Sequence, residues 1–226
     1  MEENDMRKVR FDGEYDALLC LNANMPGKKF FKKFRDIPII AADGAANQLI
    51  DKKVVPDYII GDLDSIDDEV RTQVGDESEI VHEPSQEKND FQKILEFSLK
   101  KGWTNLLICG FHGGQLEHTF NNWSVFMRFS RELNLCIYDV KRYGIAVFDE
   151  INLSTYKNEI ISLIPQGKCR LSTENLKWEF KNDILELGIS EGARNRALGN
   201  EIELTIHEGS LIAFFDAKVP LAPIEI

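Results

Sequence analysis

Short apolar runs alternate with amphipathic segments up to about residue 140, the pattern of a parallel sheet with helices packed on its faces. Ala17–Leu21, Pro38–Ala42, Tyr58–Ile60, Asn105–Cys109 and Leu135–Tyr138 predict strands, and Asn47–Lys52, Asp67–Val74, Asp90–Lys101 and Glu117–Leu133 predict helices. In the third of these helices Phe91, Ile94, Leu95 and Leu99 recur near the helical period with charges on the opposite face. That stripe should lie on the sheet, with the helix N-terminus near the strand ends. After about Arg142 the texture changes to strand-like runs separated by Gly, Asn and Ser: Ile160–Ile164, Leu176–Phe180, Ile184–Leu187, Glu201–Ile206 and Ser210–Phe215. The expected architecture is an α/β domain with a mostly parallel, Rossmann-like sheet over residues 1–142, followed by an all-β sandwich over residues 143–226. No linker rich in Pro or Ser separates the two.

Composition narrows the class. The chain has 226 residues, 43% hydrophobic and 29% charged, as an ordinary folded domain pair has. No stretch approaches the ~20 apolar residues that span a bilayer, and the charged start of the chain has no apolar core of a signal peptide, so a cytoplasmic protein is expected with no membrane partner. A formal charge of −11 without a basic patch argues against nucleic acid. Cys20, Cys109, Cys136 and Cys169 are scattered, as are His82, His112, His118 and His207, and neither set has the spacing of a disulfide framework or a zinc site.

Chemistry concentrates where the predicted strands end, the edge of an open α/β sheet that faces ligands. One strand runs into Ala41-Ala42-Asp43-Gly44-Ala45-Ala46-Asn47, where Asp43 reads either as a helix N-cap or as a site carboxylate. Another ends in Gly61-Asp62-Leu63-Asp64-Ser65; in extended geometry Asp62 and Asp64 share a face and could hold a hard cation, with a solvated acidic loop as the alternative. The polar stretch Pro84-Ser85-Gln86-Glu87-Lys88-Asn89-Asp90-Phe91 delivers Asp90 to the start of a helix, again as a cap or as a ligand. If the strands are as assigned, Asp43, Asp62, Asp64 and Asp90 gather at one sheet edge, a set of oxygen donors suited to magnesium on a nucleotide's phosphates. Gly110-Phe111-His112-Gly113-Gly114-Gln115 precedes another helix and could present backbone N–H groups to phosphate, or be a plain turn.

These motifs, in this order, resemble those of the thiamine pyrophosphokinase family. Asp43-Gly44-Ala45-Ala46-Asn47, Pro56-Asp57 with Gly61-Asp62-Leu63-Asp64-Ser65, Asn89-Asp90-Phe91 and Gly113-Gly114-Gln115-Leu116-Glu117-His118 carry the likeness in the first part of the chain. Leu176-Lys177-Trp178 and Gly188-Ile189-Ser190 carry it in the second. The resemblance implies transfer of pyrophosphate from ATP to the hydroxyl of thiamine, with magnesium required and AMP released, by a homodimer whose thiamine sites lie between subunits. It implies Asp62, Asp64 and Asp90 as magnesium ligands and Asp43 as a catalytic acid group near the acceptor hydroxyl. Asn22, Gly44, Asn47, Gly113, Gly114, Gln115, Glu117 and His118 would contact ATP, in an ATP- and magnesium-binding first domain. Gln86, Trp178 and Ser190 would contact thiamine, the last two from a thiamine-binding second domain.

Departures from the pattern are four: Gln115 stands where the family has arginine, Glu117 where it has aspartate, Asn89 where it has threonine and Glu191 where it has asparagine. Gln115 removes a phosphate-facing cation. Two other classes fit the residues: a magnesium-dependent phosphatase using Asp62-Leu63-Asp64 through an aspartyl-phosphate, and a non-catalytic thiamine- or nucleotide-binding protein.

Overall fold

The computed structural model describes residues 7–225. The chain forms two compact units, one spanning Glu14–Val140 and the other built from Lys141 onward together with the first strand, β1 (Arg7–Gly13). β1 pairs in parallel with Ile151–Ser154 and antiparallel with Ala222–Glu225. The sequence-based boundary, which assigned everything before residue 143 to one domain, thus misplaces this strand. Its alternation of charged and apolar residues suits a sheet with one solvated face, whereas the neighbouring runs are apolar throughout.

The unit Glu14–Val140 contains β2 (Ala17–Cys20), β3 (Ile39–Ala42), β4 (Tyr58–Gly61), β5 (Glu79–His82), β6 (Asn105–Cys109) and β7 (Asn134–Asp139). They pair in parallel in the order β7-β6-β2-β3-β4-β5. Parallel strands need crossovers, and four are helical: α2 (Ala45–Asp51), α3 (Asp68–Val74), α4 (Asp90–Lys100) and α5 (Leu116–Phe129). A single turn, α1 (Lys28–Phe31), lies between β2 and β3. The strands are apolar without alternation because both faces are covered: Leu18, Leu19, Ile40, Ile59, Ile60 and Leu107 are all fully buried. The apolar stripe of α4 does lie on the sheet, against β3 and β4, and burying Phe91, Ile94 and Leu95 stabilises the pairing by roughly 1.5–3 kcal/mol per side chain.

The other unit holds β8 (Arg142–Val147), β9 (Ile151–Ser154), β10 (Ile160–Pro165), β11 (Lys168–Glu174), β12 (Asp183–Glu186), β13 (Gly192–Arg196), β14 (Glu201–Glu208), β15 (Leu211–Asp216) and β16 (Ala222–Glu225). One layer is ordered β12-β11-β14-β9-β1-β16 and the other β13-β10-β15-β8, with all pairings antiparallel except β1 with β9. The layers share a core at Phe11 and Phe215, whose rings lie 5.0 Å apart. Leu176–Phe180 is not a strand: only Leu176 makes an isolated bridge, to Ala197, and Trp178 is exposed. Asn175 and Asn182, both left-handed, bracket this segment as a loop. Among the described residues no helix is long and apolar enough to cross a membrane.

Candidate active site

The first unit's strand order places β2 and β6 side by side at the point where the chain, having built β3, β4 and β5 on one flank, crosses to build β6 and β7 on the other. Ligands settle at such switch points, off the carboxyl ends of the strands. A cavity of about 630 Å³ opens there, floored by Leu21, Ala42, Asp43 and Asp62 and closed by the starts of α4 and α5.

Asp43 is the deepest carboxylate, 3% exposed. It is no helix cap: Gly44 holds the N-cap position of α2, and Asp43 Oδ1 has no hydrogen-bond partner. Burial raises its pKa, a hydrogen bond with Ser65 opposes that, and the charges of Asp90, Asp62 and Asp64 raise it further. Gly61 is required beside it, because a Cβ at that position would sit 2.7 Å from Asp43 Cβ. Oxygens of Asp43, Asp62 and Asp64 lie within 4.8 Å of one another. An unpartnered buried carboxylate oxygen beside two more carboxylates is a donor set that fits a hard divalent cation.

Asp62 and Asp64 do not meet in the extended geometry expected of them. β4 ends at Gly61, and Leu63 turns left-handed with φ 67°. For a leucine this costs about 1–2 kcal/mol, and the surrounding contacts hold it in place. Arg71 donates to the Leu63 carbonyl, Asn47 Nδ2 donates to Ser65 O at 2.9 Å, and Asp67 N donates to Asn47 Oδ1 at 3.2 Å. Asn47 is therefore engaged in fixing the acidic loop and does not line the cavity. Gln86 Nε2 donates to Asp62 Oδ2 at 2.8 Å, which lowers that carboxyl's pKa, helped by the Asp64 backbone and the charge of Lys93. The Pro56-Asp57 half of the motif lies at the opposite sheet edge, where Asp57 Oδ2 accepts from Ile39 N at 2.8 Å and starts β3.

Asp90 lines the cavity but stands outside the three-carboxylate group, its Oδ1 2.9 Å from Lys93 Nζ. The cap of α4 is Asn89, which accepts from Gln92 N at 2.9 Å, so asparagine in place of threonine keeps a capping oxygen. Asn22, Gly44, Gly113, Gly114, Gln115 and His118 all line the cavity, whereas Glu117 is exposed outside it. Gly113 is left-handed and its Cα faces Asn24, leaving no room for a Cβ. In the other unit Trp178 is 55% exposed with Lys177 Nζ 4.6 Å over its ring. Ser190 Oγ donates to Ile184 O at 3.2 Å. Glu191 accepts from Gly188 N at 2.8 Å, closing its own turn. Sequence reasoning missed Lys93, Lys88 and Asn122 as cavity-lining residues. For Lys93 the sequence offers only its spacing, three residues after Asp90 on one helix face, which an ordinary surface pair shares.

Residues 35–137 match the family model described as the catalytic domain of thiamin pyrophosphokinase. The chain is similar to the thiamin pyrophosphokinases. It is 27% identical over 207 residues to thiamine pyrophosphokinase 1 of Oryza sativa subsp. japonica, covering 76% of each chain. Thiamin pyrophosphokinase of Candida albicans superposes with a TM-score of 0.77 at 18% identity, covering 91% of this chain and 90% of that one. The yeast thiamin pyrophosphokinase gives 0.77 at 20%, covering 95% and 87%. The Bacillus subtilis thiamine pyrophosphokinase gives 0.74 at 19%, covering 90% and 100%. The segment matching the pyrophosphokinase catalytic domain contains Asp43, Asp62, Asp64 and Asp90, and nearly all the cavity's lining.

Proposed function

We propose that this protein transfers the pyrophosphoryl group of ATP to the hydroxyl of thiamine, giving thiamine diphosphate and AMP. The observation that carries this reading is the three-carboxylate group at the switch point, set within the segment that matches the pyrophosphokinase catalytic domain. Asp62 and Asp64, with Asp43 beside them and Asp90 on the same cavity, would hold a magnesium ion. When bound, that ion supplies charge neutralisation to phosphate oxygens.

The protein's own part is positioning. Gly113 and Gly114 leave backbone open at the entry to α5, where phosphate oxygens can be received. Asp43, buried and with a raised pKa, is placed to orient the acceptor hydroxyl and take its proton as that oxygen attacks the β-phosphorus and AMP leaves. The acidic loop, held by Asn47 and Arg71, keeps the carboxylates in place before substrate arrives. Gln86, Trp178 and Ser190 as thiamine contacts, the homodimer and a cytoplasmic location belong to the same proposal, by resemblance to the family. The aspartyl-phosphate phosphatase and the non-catalytic binding protein are not favoured, since the matched relatives are pyrophosphokinases.

An AMP-release assay with ATP, magnesium and thiamine, with chromatography for thiamine diphosphate, tests the reading. Thiamine-dependent formation of both products is expected. AMP release independent of thiamine, or no turnover by folded protein that binds ATP, would overturn it.

A further inference from the structure

The family's arginine at position 115 is glutamine here, yet a polyphosphate must find cations in a cavity lined by Asp43, Asp62, Glu87 and Asp90. Two lysines line it. Lys88 is half-exposed and bound to Glu96 at 2.7 Å, itself also the acceptor of Gln92. Lys93 differs in kind. Its side chain is 3% exposed while that of its partner Asp90 is 39% exposed, so the ammonium is buried more deeply than the carboxylate that balances it. Among the described residues its Nζ donates only to Asp90 Oδ1, at 2.9 Å. An ammonium has three donors, and a buried one is costly unless they are satisfied. Two donors left over, at the wall of a cavity whose glycine turns suit phosphate, match what phosphate oxygens accept.

We infer that Lys93 is the phosphate-binding cation of this site, contacting the polyphosphate of ATP and standing in for the arginine that Gln115 replaces. The inference rests on the proposal that the cavity binds ATP and is independent of the acceptor alcohol. Lys93 donates to Asp90 in the free protein and uses its remaining donors on phosphate oxygens when nucleotide binds.

Calorimetric titration of ATP with magnesium, on wild type, Lys93→Met, Asp90→Asn and the double variant, decides the matter. A lost charge-assisted hydrogen bond weakens ATP by about tenfold or more. The same loss is expected when Lys93→Met is made in the Asp90→Asn background, where no unpaired carboxylate is left behind. If the double variant binds ATP within twofold of Asp90→Asn, Lys93 is only the counter-ion of Asp90 and the inference is wrong. That pair of proteins carries the test even where Lys93→Met alone fails to fold. In turnover, KM for ATP should rise with KM for thiamine unmoved; equal rises in both would also overturn it. Wild type that binds ATP without thiamine-dependent AMP release would sink the acceptor assignment alone, and the calorimetric cycle would still decide on Lys93.

Discussion

A methyl group added at Gly61 would lie 2.7 Å from Asp43 Cβ, 3.2 Å from its Cγ and 3.3 Å from its Cα. Two of those atoms belong to or adjoin the backbone, so no rotamer change of Asp43 relieves the contact. The two chain segments must part by roughly 0.7 Å to reach ordinary van der Waals distance, in a core packed like a crystal. β3 and β4 are paired there, with Asp43 N donating to Ile60 O at 2.9 Å, which resists the parting. Overpacking of this kind costs about 1–3 kcal/mol. Moving a reacting group by a comparable distance slows turnover on the order of tenfold to a hundredfold. Gly61→Ala should accordingly unfold at lower urea and lose turnover by that factor, with KM for ATP less affected. Gly27→Ala, where nothing lies within 4 Å of the new atom, is the control and should match wild type. Steady-state AMP release and equilibrium unfolding measure both effects. Wild-type turnover in a Gly61→Ala protein of unchanged stability would show that Asp43's placement does not govern the chemistry.

Other substitutions test separate parts of the site. Asp43's raised pKa means that, in metal-free protein, its contribution to stability is present below about pH 4 and lost as pH rises through its folded value. Asp43→Asn should therefore melt higher than wild type at pH 7 in EDTA, the gap closing below about pH 4, while AMP release falls away; an equal gap at both pH values would contradict the assigned cause. Asp62→Asn and Asp64→Asn should each lower turnover by about a hundredfold or more at saturating magnesium, and near wild-type rates in both would remove the metal assignment. Asn89→Ala deletes the cap of α4 and should cost about 1 kcal/mol in chemical denaturation; no change would mean the cap is replaced. Trp178→Ala should raise KM for thiamine and leave KM for ATP in place, and the reverse pattern in steady-state kinetics would reassign that residue.

The parallel sheet was legible because burial on both faces leaves uninterrupted apolar runs, so β2, β3, β4, β6 and β7 fall within a residue or two of where the sequence puts them. β5, Glu-Ile-Val-His at the sheet edge, is short, polar and mostly exposed, and so gives no such run. Leu176, Trp178 and Phe180 alternate as a strand would, but two of their backbone N–H groups go to side chains rather than into a ladder: Trp178 N donates to Asn195 Oδ1 at 3.1 Å and Phe180 N to Thr173 Oγ1 at 3.0 Å. The acidic residues of the site could be placed by the strands that end beside them. Their arrangement could not, since it turns on a left-handed Leu63 and on a glutamine, Gln86, reaching across to Asp62. Lys93 was hidden for another reason: a lysine three residues after an aspartate on a helix usually marks a solvated surface pair, and only the packing of α4 buries it.

β1 has consequences for how the protein is made. It is synthesised before every other described strand, but its parallel neighbour begins at Ile151 and its antiparallel neighbour at Ala222. The unit Glu14–Val140 lies wholly between these partners in synthesis and can complete its own sheet before β1 has either of its neighbours to pair with. A gene fragment starting at Lys141 would produce a layer with β9 and β16 both lacking their shared neighbour, an open edge prone to pairing with other chains. Supplying residues 7–13 as a separate peptide should rescue such a fragment's solubility, making the strand a candidate handle for splitting and reassembling the protein.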